Sequence, residues 1–257
     1  MLSQTERIAS IPGEFVLRHN LSKSAISEVF LCTFNNLDAV IRLDSKCATK
    51  LSIDRENEFM LLKNIQYLDI APKALYVDPT NGISIWEYVQ GKEVTFHPAD
   101  TKQSIRSLGK SLRAIHSIAI PEHSADVFSN SMSLYHDLLE NTSDAHLFKK
   151  ASNLYNELLK DDVSKVLSHN DLHPRNLLWA NKYYFLDWEY AGPNDRYFDI
   201  ASVIKTFQLN KSQILELLSG YSSNAKIFDI DKINKWIVFI YNLDKLWKIS
   251  VERVNQT

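Results

Sequence analysis

Between Leu167 and Ala191 the chain reads LSHNDLHPRNLLWANKYYFLDWEYA. Two histidines, two aspartates, three asparagines, an arginine and a glutamate stand there between apolar runs. Leu177-Leu178-Trp179 and Tyr183-Tyr184-Phe185-Leu186 read as two short strands, with Ala180-Asn181-Lys182 turning the chain between them. Asp171 and Asn176 precede this hairpin and Asp187 follows it. A hairpin brings its two ends together, so the three side chains can converge on one point. Two carboxylates and an amide oxygen are hard ligands, of the kind that hold Mg²⁺ jointly with the phosphates of a substrate. The plain alternative is a solvated loop beside an ordinary hairpin. Chance supplies one Asp near one Asn more readily than the whole ordered set.

Other chemistries lack support. His169, His173, Asp171 and Asp187 carry no HxxEH or other spaced zinc pattern, and Ser168 has no flanking glycines of a nucleophile elbow. Phosphoryl transfer fits the spacing better. In protein kinases one Asp receives the acceptor hydroxyl proton, an Asn five residues later holds one Mg²⁺, and an Asp after the next strand holds the other. His169-x-Asp171-x4-Asn176 followed by Asp187-Trp188-Glu189 resembles the aminoglycoside phosphotransferase and choline kinase superfamily. Those enzymes are similar to protein kinases in fold and phosphorylate small molecules. Asp187-x-Glu189-x4-Asn194-x4-Asp199 resembles the second signature of choline and ethanolamine kinases. Asp187-Trp-Glu-Tyr-Ala-Gly192 also resembles bacterial thiamine kinases. The likeness is strong over residues 167–205, weaker but ordered over 20–118, and faint beyond 210.

The resemblance implies an α+β, two-lobed, protein-kinase-like fold. A small N-terminal antiparallel sheet plus helix, residues 1–90, would bind nucleotide. A larger, mostly helical lobe, residues 91–257, would carry catalysis and the acceptor. The upstream sequence agrees. Residues 26–34 and 37–43 are apolar and β-branched and read as two antiparallel strands joined near Asn35-Asn36. Residues 53–65 have apolar side chains at 53, 59, 61, 62 and 65 and suit an amphipathic helix. Residues 74–77 and 83–86 read as strands around the turn Asp78-Pro-Thr-Asn-Gly82. Helices are expected over 99–118, with a cap-like start near His97-Pro98, and over 131–139, 144–160, 199–209, 211–222 and 231–253.

On the resemblance, Asp171 orients the acceptor hydroxyl and takes its proton, while Asn176 and Asp187 bind Mg²⁺. His169 braces the catalytic loop rather than acting as a base, and Asp199 pairs with that loop's backbone. Arg42, on the second strand, offers a bidentate fork to the phosphates of ATP. Glu58, preferred to Glu56, holds Arg42. The loop 20–27 would lie over the phosphates, but it has no glycine, so Ser22, Ser24, Ser27 and Lys23 stand in as contacts. The backbone of Glu87 and Val89 would meet adenine in a hinge over 85–91, with Gly91 freeing the chain to cross between lobes. His116 packs, and Arg175 faces either phosphate or a surface acid. His173 lines the acceptor site.

The acceptor is a small-molecule hydroxyl. Choline or ethanolamine comes first, then thiamine, then an aminoglycoside. A cationic acceptor calls for an aromatic cage and negative charge. Tyr190, Trp236, Tyr241 and Trp247 are the cage candidates, although such aromatics also serve as core. Choline kinases end the second signature with a Glu where this chain has Thr206, and Glu189 is the candidate to compensate. A nucleotide-binding pseudokinase is the non-enzyme alternative, favoured only by the glycine-free loop.

The 257 residues suffice for a sizeable core. At 45% hydrophobic, 23% charged and a net charge of −2, with no basic stripe, nothing suggests a nucleic-acid partner. Cys32 and Cys47 lack metal-ligand spacing and read as reduced thiols. No secretory signal and no membrane-length apolar run is visible, so a cytoplasmic protein without a membrane partner is expected. Spacing says nothing of oligomeric state.

Overall fold

The computed structural model describes residues 3–51, 53–96, 102–121, 124, 126–160 and 164–256. Helix α1 (Gln4–Ala9) begins at a capping box in which Ser3 and Glu6 satisfy each other's backbone N–H groups. Strands β1 (Phe15–Lys23), β2 (Ser27–Phe34) and β3 (Leu37–Asp44) follow. Next come helices α2 (Lys46–Lys50) and α3 (Arg55–Ile65), then strands β4 (Ala74–Asp78) and β5 (Ile83–Glu87). The five strands form one antiparallel sheet in the order β1-β2-β3-β5-β4. The turn at Asn35-Asn36 places both residues at positive φ, 47° and 64°, which asparagine tolerates better than most side chains.

Beyond the sheet lie β6 (Lys92–Glu93), α4 (Lys102–His116), α5 (Val127–Leu139) and α6 (Ala145–Leu158). Four short strands come next: β7 (Val166–Ser168), β8 (Leu177–Trp179), β9 (Tyr183–Phe185) and β10 (Gly192–Asn194). Three helices finish the chain: α7 (Arg196–Thr206), α8 (Lys211–Tyr221) and α9 (Ile230–Gln256). The α+β, two-lobed plan is therefore the one the sequence implies. The expected cap near His97-Pro98 lies outside the described residues.

One large apolar cluster fills the helical lobe and reaches back across residue 90 to Leu61, Leu62, Ile65, Ala71 and Ala74. A second, led by Phe30, Cys32, Ile41 and Ile85, lies in the sheet and under α1. Cys32 and Cys47 are buried and free. Among the described residues no helix is long and apolar enough to cross a membrane.

The sheet corrects one expectation. Residues 20–23 are not loop. They extend β1 through the pairings Asn20 with Phe30, Ser22 with Val29 and Lys23 with Glu28, across two register shifts. The turn shrinks to Ser24–Ile26 and is closed by side-chain hydrogen bonding: the Ser24 hydroxyl accepts from the N–H groups of Ile26 and Ser27.

Candidate active site

The hairpin forms as its sequence suggests. Leu177 pairs with Phe185, Leu178 with Tyr184 and Trp179 with Tyr183, and Asn181 takes the left-handed conformation at φ 64°. The chain ends it joins are tied together directly, because Leu186 N–H donates to the Asn176 carbonyl at 2.9 Å. Asp171, Asn176 and Asp187 thereby line one cavity of about 850 Å³, which Arg42 and Glu58 enter from the sheet lobe. The Asn176 amide nitrogen donates to Asp171 Oδ2 at 2.9 Å and to the Asp171 carbonyl at 3.0 Å. Burial, reinforced by the charges of Asp187 and Glu189, holds the Asp171 carboxyl well above the usual carboxylate range.

The loop carrying Asp171 is fixed from behind. Asp199, fully buried on the first turn of α7, accepts from the backbone N–H groups of His169 (2.8 Å) and Asn170 (3.0 Å). It also meets His116 Nε2 at 3.0 Å, and His116 Nδ1 lies 2.8 Å from the Tyr221 hydroxyl. Asn170 sits at φ 64°, held by its amide donating to the Tyr190 carbonyl. His169 is fully buried, and its Nε2 donates to the Leu186 carbonyl at 2.9 Å. Burial lowers its pKa to about 4, so it stands neutral and spans the two ends of the hairpin. His173 lies 3.6 Å from Asp171, and burial brings its pKa to about 4 as well.

Arg42 stacks on Trp86 at 4.4 Å and is almost fully buried. It pairs with Glu58, with Asp187 at 2.6 Å and with Glu189 at 3.3 Å. Glu56, the other candidate partner, is exposed. Ser24, Glu87, Val89 and Gly91 line the same cavity. The Glu87 N–H is already used, donating to the Lys73 carbonyl at 2.9 Å. Arg175 is exposed at the cavity rim.

The acceptor assignments divide. Tyr190 and Trp247 line the cavity and meet edge to face at 5.8 Å. Trp236 does not reach it. That indole is fully buried against Tyr155, Phe198 and Phe239, because its part of α9 crosses the core. Tyr241 faces outward, 55% exposed, with the Lys205 ammonium 4.7 Å from its ring. Glu189 also lines the cavity, with its Oε2 engaged by both Arg55 and Arg42. Thr206 donates to the carbonyls of Ser202 and Leu172.

Three residues that spacing did not single out line the cavity: Tyr135, Ser131 and Asp244. Asp244 pairs with Lys205 and stands three positions before Trp247 on α9, a spacing that puts both on one helix face. That spacing was a legible signal. Tyr135 had none.

Comparison with known proteins agrees with this architecture. The model of the phosphotransferase enzyme family matches residues 19–236. The chain is 30% identical over 220 residues to Protein LicA homolog of Mycoplasma capricolum subsp. capricolum, covering 79% of this chain and 87% of that one. It is 31% identical over 83 residues to the thiamine kinase of Escherichia coli O9:H4, covering 31% of this chain and 29% of that one. The solved structure of choline kinase LicA from Streptococcus pneumoniae superposes with a TM-score of 0.75 at 21% identity, covering 96% of this chain and 89% of that one. With the family match spanning most of its length, the chain belongs to the phosphotransferase enzyme family.

Proposed function

We propose that the protein is an ATP- and Mg²⁺-dependent kinase that phosphorylates the hydroxyl of a small cationic alcohol, choline or ethanolamine first. The observation that carries this reading is the convergence of Asp171, Asn176 and Asp187 from one lobe with Arg42 from the other on a single cavity. Asp171 orients the acceptor hydroxyl and receives its proton, a role to which a carboxyl with a raised pKa is suited. Arg42, braced by Glu58, meets the nucleotide phosphates. The strand end at Glu87 and Val89 receives the base, and the two lobes divide near residue 90.

Mg²⁺ fits the donor set. The Asn176 nitrogen is taken up by Asp171, which leaves the amide oxygen as a ligand, and Asp187 adds a carboxylate. Asp171, Asp187 and Glu189 also crowd like charges together, an excess that a divalent cation relieves. When bound by Asn176 and Asp187, the ion would neutralise charge building up on the phosphates. At the acceptor end, Tyr135, Tyr190 and Trp247 supply aromatic faces and Asp244 a carboxylate, a chemistry suited to an ammonium group. The Tyr190 hydroxyl is buried and without a hydrogen-bond partner among the described residues, so it can turn to the acceptor.

Thiamine is the second reading, favoured by Thr206, whose hydroxyl is engaged with backbone and brings no carboxylate to the cavity. The test is transfer from Mg-ATP to a panel of choline, ethanolamine, thiamine and kanamycin. Highest kcat/KM with choline or ethanolamine is expected. Preference for thiamine or kanamycin overturns the acceptor assignment. No transfer to any of them, with ATP still raising the melting temperature, points to a nucleotide-binding scaffold.

A further inference from the structure

Among the described residues, Arg55 and Glu189 are the least exposed ionic link between the two lobes, and the roles so far given to the cavity do not use Arg55. Its guanidinium forks onto Asp44, Nε to Oδ2 at 2.8 Å and Nη2 to Oδ1 at 2.9 Å. Its Nη1 reaches Glu58 Oε2 at 3.2 Å and also binds Glu189. The four side chains are 2–6% exposed. Asp44 and Glu58 belong to β3 and α3, whereas Glu189 lies two residues beyond Asp187. Arg42 draws on the same carboxylates, with its Nη2 on Glu58 and its Nη1 on Glu189 and Asp187.

Two consequences follow from the charges. Without Arg55, three buried carboxylates would compete for Arg42, and burying unpaired carboxylates is costly. Arg42 would be drawn inward, away from the cavity. The second concerns Asp187, which sits at φ 61°, a conformation that non-glycine residues keep only when their surroundings hold it. One flank is held by Leu186, whose N–H and carbonyl are bound by Asn176 and His169. Along the side chains, the other flank is held by Glu189 in the grip of the two arginines.

We infer that Arg55 and Glu189 are positioning residues, an interlobe clasp that sets Asp187 and Arg42 for the nucleotide phosphates. Arg55 lies behind the cavity lining, and Glu189 meets Arg55 through Oε2. The inference rests on the kinase reading for its kinetic consequence, but the clasp itself is physical and can be read without turnover.

The experiment compares wild type with Arg55→Lys and Glu189→Gln. Arg55→Lys keeps the charge and loses the fork, and Glu189→Gln keeps the shape and loses the charge. Hydrogen–deuterium exchange over residues 186–192 reads the clasp in the protein alone. Faster exchange in both variants is expected, and unchanged exchange overturns the clasp whether or not the protein is a kinase. In a wild type that turns over, kcat/KM for ATP should fall about 10²-fold, the scale on which misplaced groups affect rate. KM for the acceptor should stay within about twofold. A raised acceptor KM with ATP unaffected would return Glu189 to the acceptor site. A loss restored by excess Mg²⁺ would make Glu189 a metal ligand. Either result overturns the positioning role. No turnover by the wild type, together with faster exchange in the two variants, counts against the kinase reading and leaves the clasp standing.

Discussion

At the scale of single residues, the cavity separates groups that react from groups that recognise. Asp171 has the raised carboxyl and the hydrogen bond from Asn176, so Asp171→Asn should lower kcat by about 10²–10⁴-fold, the usual contribution of a positioned base. The melting curve of the variant should remain cooperative. Full turnover by that variant would remove Asp171 from the mechanism. In the proposed reaction Asp244 would serve recognition. Its carboxylate is 58% exposed and pairs with Lys205, at the end of the cavity lined by Tyr190 and Trp247. Asp244→Asn should raise KM for choline about threefold, the equivalent of about 0.6 kcal/mol for a largely exposed charge, with kcat little changed. A neutral analogue, 3,3-dimethylbutan-1-ol, serves as the control, since its KM should not move. An equal rise for both alcohols would show that Asp244 shapes the cavity rather than reading charge.

At the scale of elements, what could be read from sequence was local. The hairpin of β8 and β9, the pair β2 and β3, and the helix carrying Glu58 each have their pattern within fewer than twenty residues, and the structure forms each of them. Residues 20–23 read as loop because Asn20-Leu-Ser-Lys23 is polar and its pairing with β2 passes through register shifts that no period-two pattern reveals. The aromatics of α9 show a different limit. Trp236 and Trp247 are eleven residues apart, so they share nearly one azimuth but lie about 16 Å apart along the axis. One meets the core and the other the cavity, which helix periodicity cannot distinguish. Tyr241 is turned about 120° from Trp247 and faces away. The pairing of Glu189 with Arg55 was not legible because the two lie 134 residues apart. Helix packing offers its own test. A Cβ on Gly109 of α4 would lie 2.1 Å from the Leu217 carbonyl, and one on Gly220 of α8 would lie 1.9 Å from the Arg106 carbonyl. These are backbone atoms that cannot swing aside. Gly109→Ala should therefore cost about 1–3 kcal/mol or more by urea denaturation, despite the better helix propensity of alanine. A neutral or stabilising result would mean that α4 and α8 are farther apart than the structure has them.

At the scale of the whole molecule, the site draws on the stability of the fold. Asp171 is a carboxyl whose folded pKa is raised by burial and by Asp187 and Glu189. Such a group favours the folded state below its unfolded pKa, about 3.9, and that contribution is lost as pH rises through the higher folded value. In the absence of metal the fold favours the carboxylic acid over the ionised carboxylate at this position. The two histidines whose pKa falls to about 4 act in the opposite sense, because the unfolded chain takes up protons below about 6.5 that the fold refuses. The effect of His169 is common to wild type and to Asp171→Asn, and repeating the comparison in a His173→Gln background removes the histidine that lies 3.6 Å from Asp171. Urea denaturation in EDTA should find Asp171→Asn more stable than wild type at pH 8, with the advantage shrinking steadily towards pH 4. Stability and turnover would then be opposed at a single residue, as expected where a reactive group is built against the preferences of the fold. A variant less stable than wild type at pH 8, or an advantage independent of pH, would mean that the Asp171 carboxylate is already compensated by its hydrogen bond from Asn176, and that the like-charge crowding at the site is too weak to reach the fold.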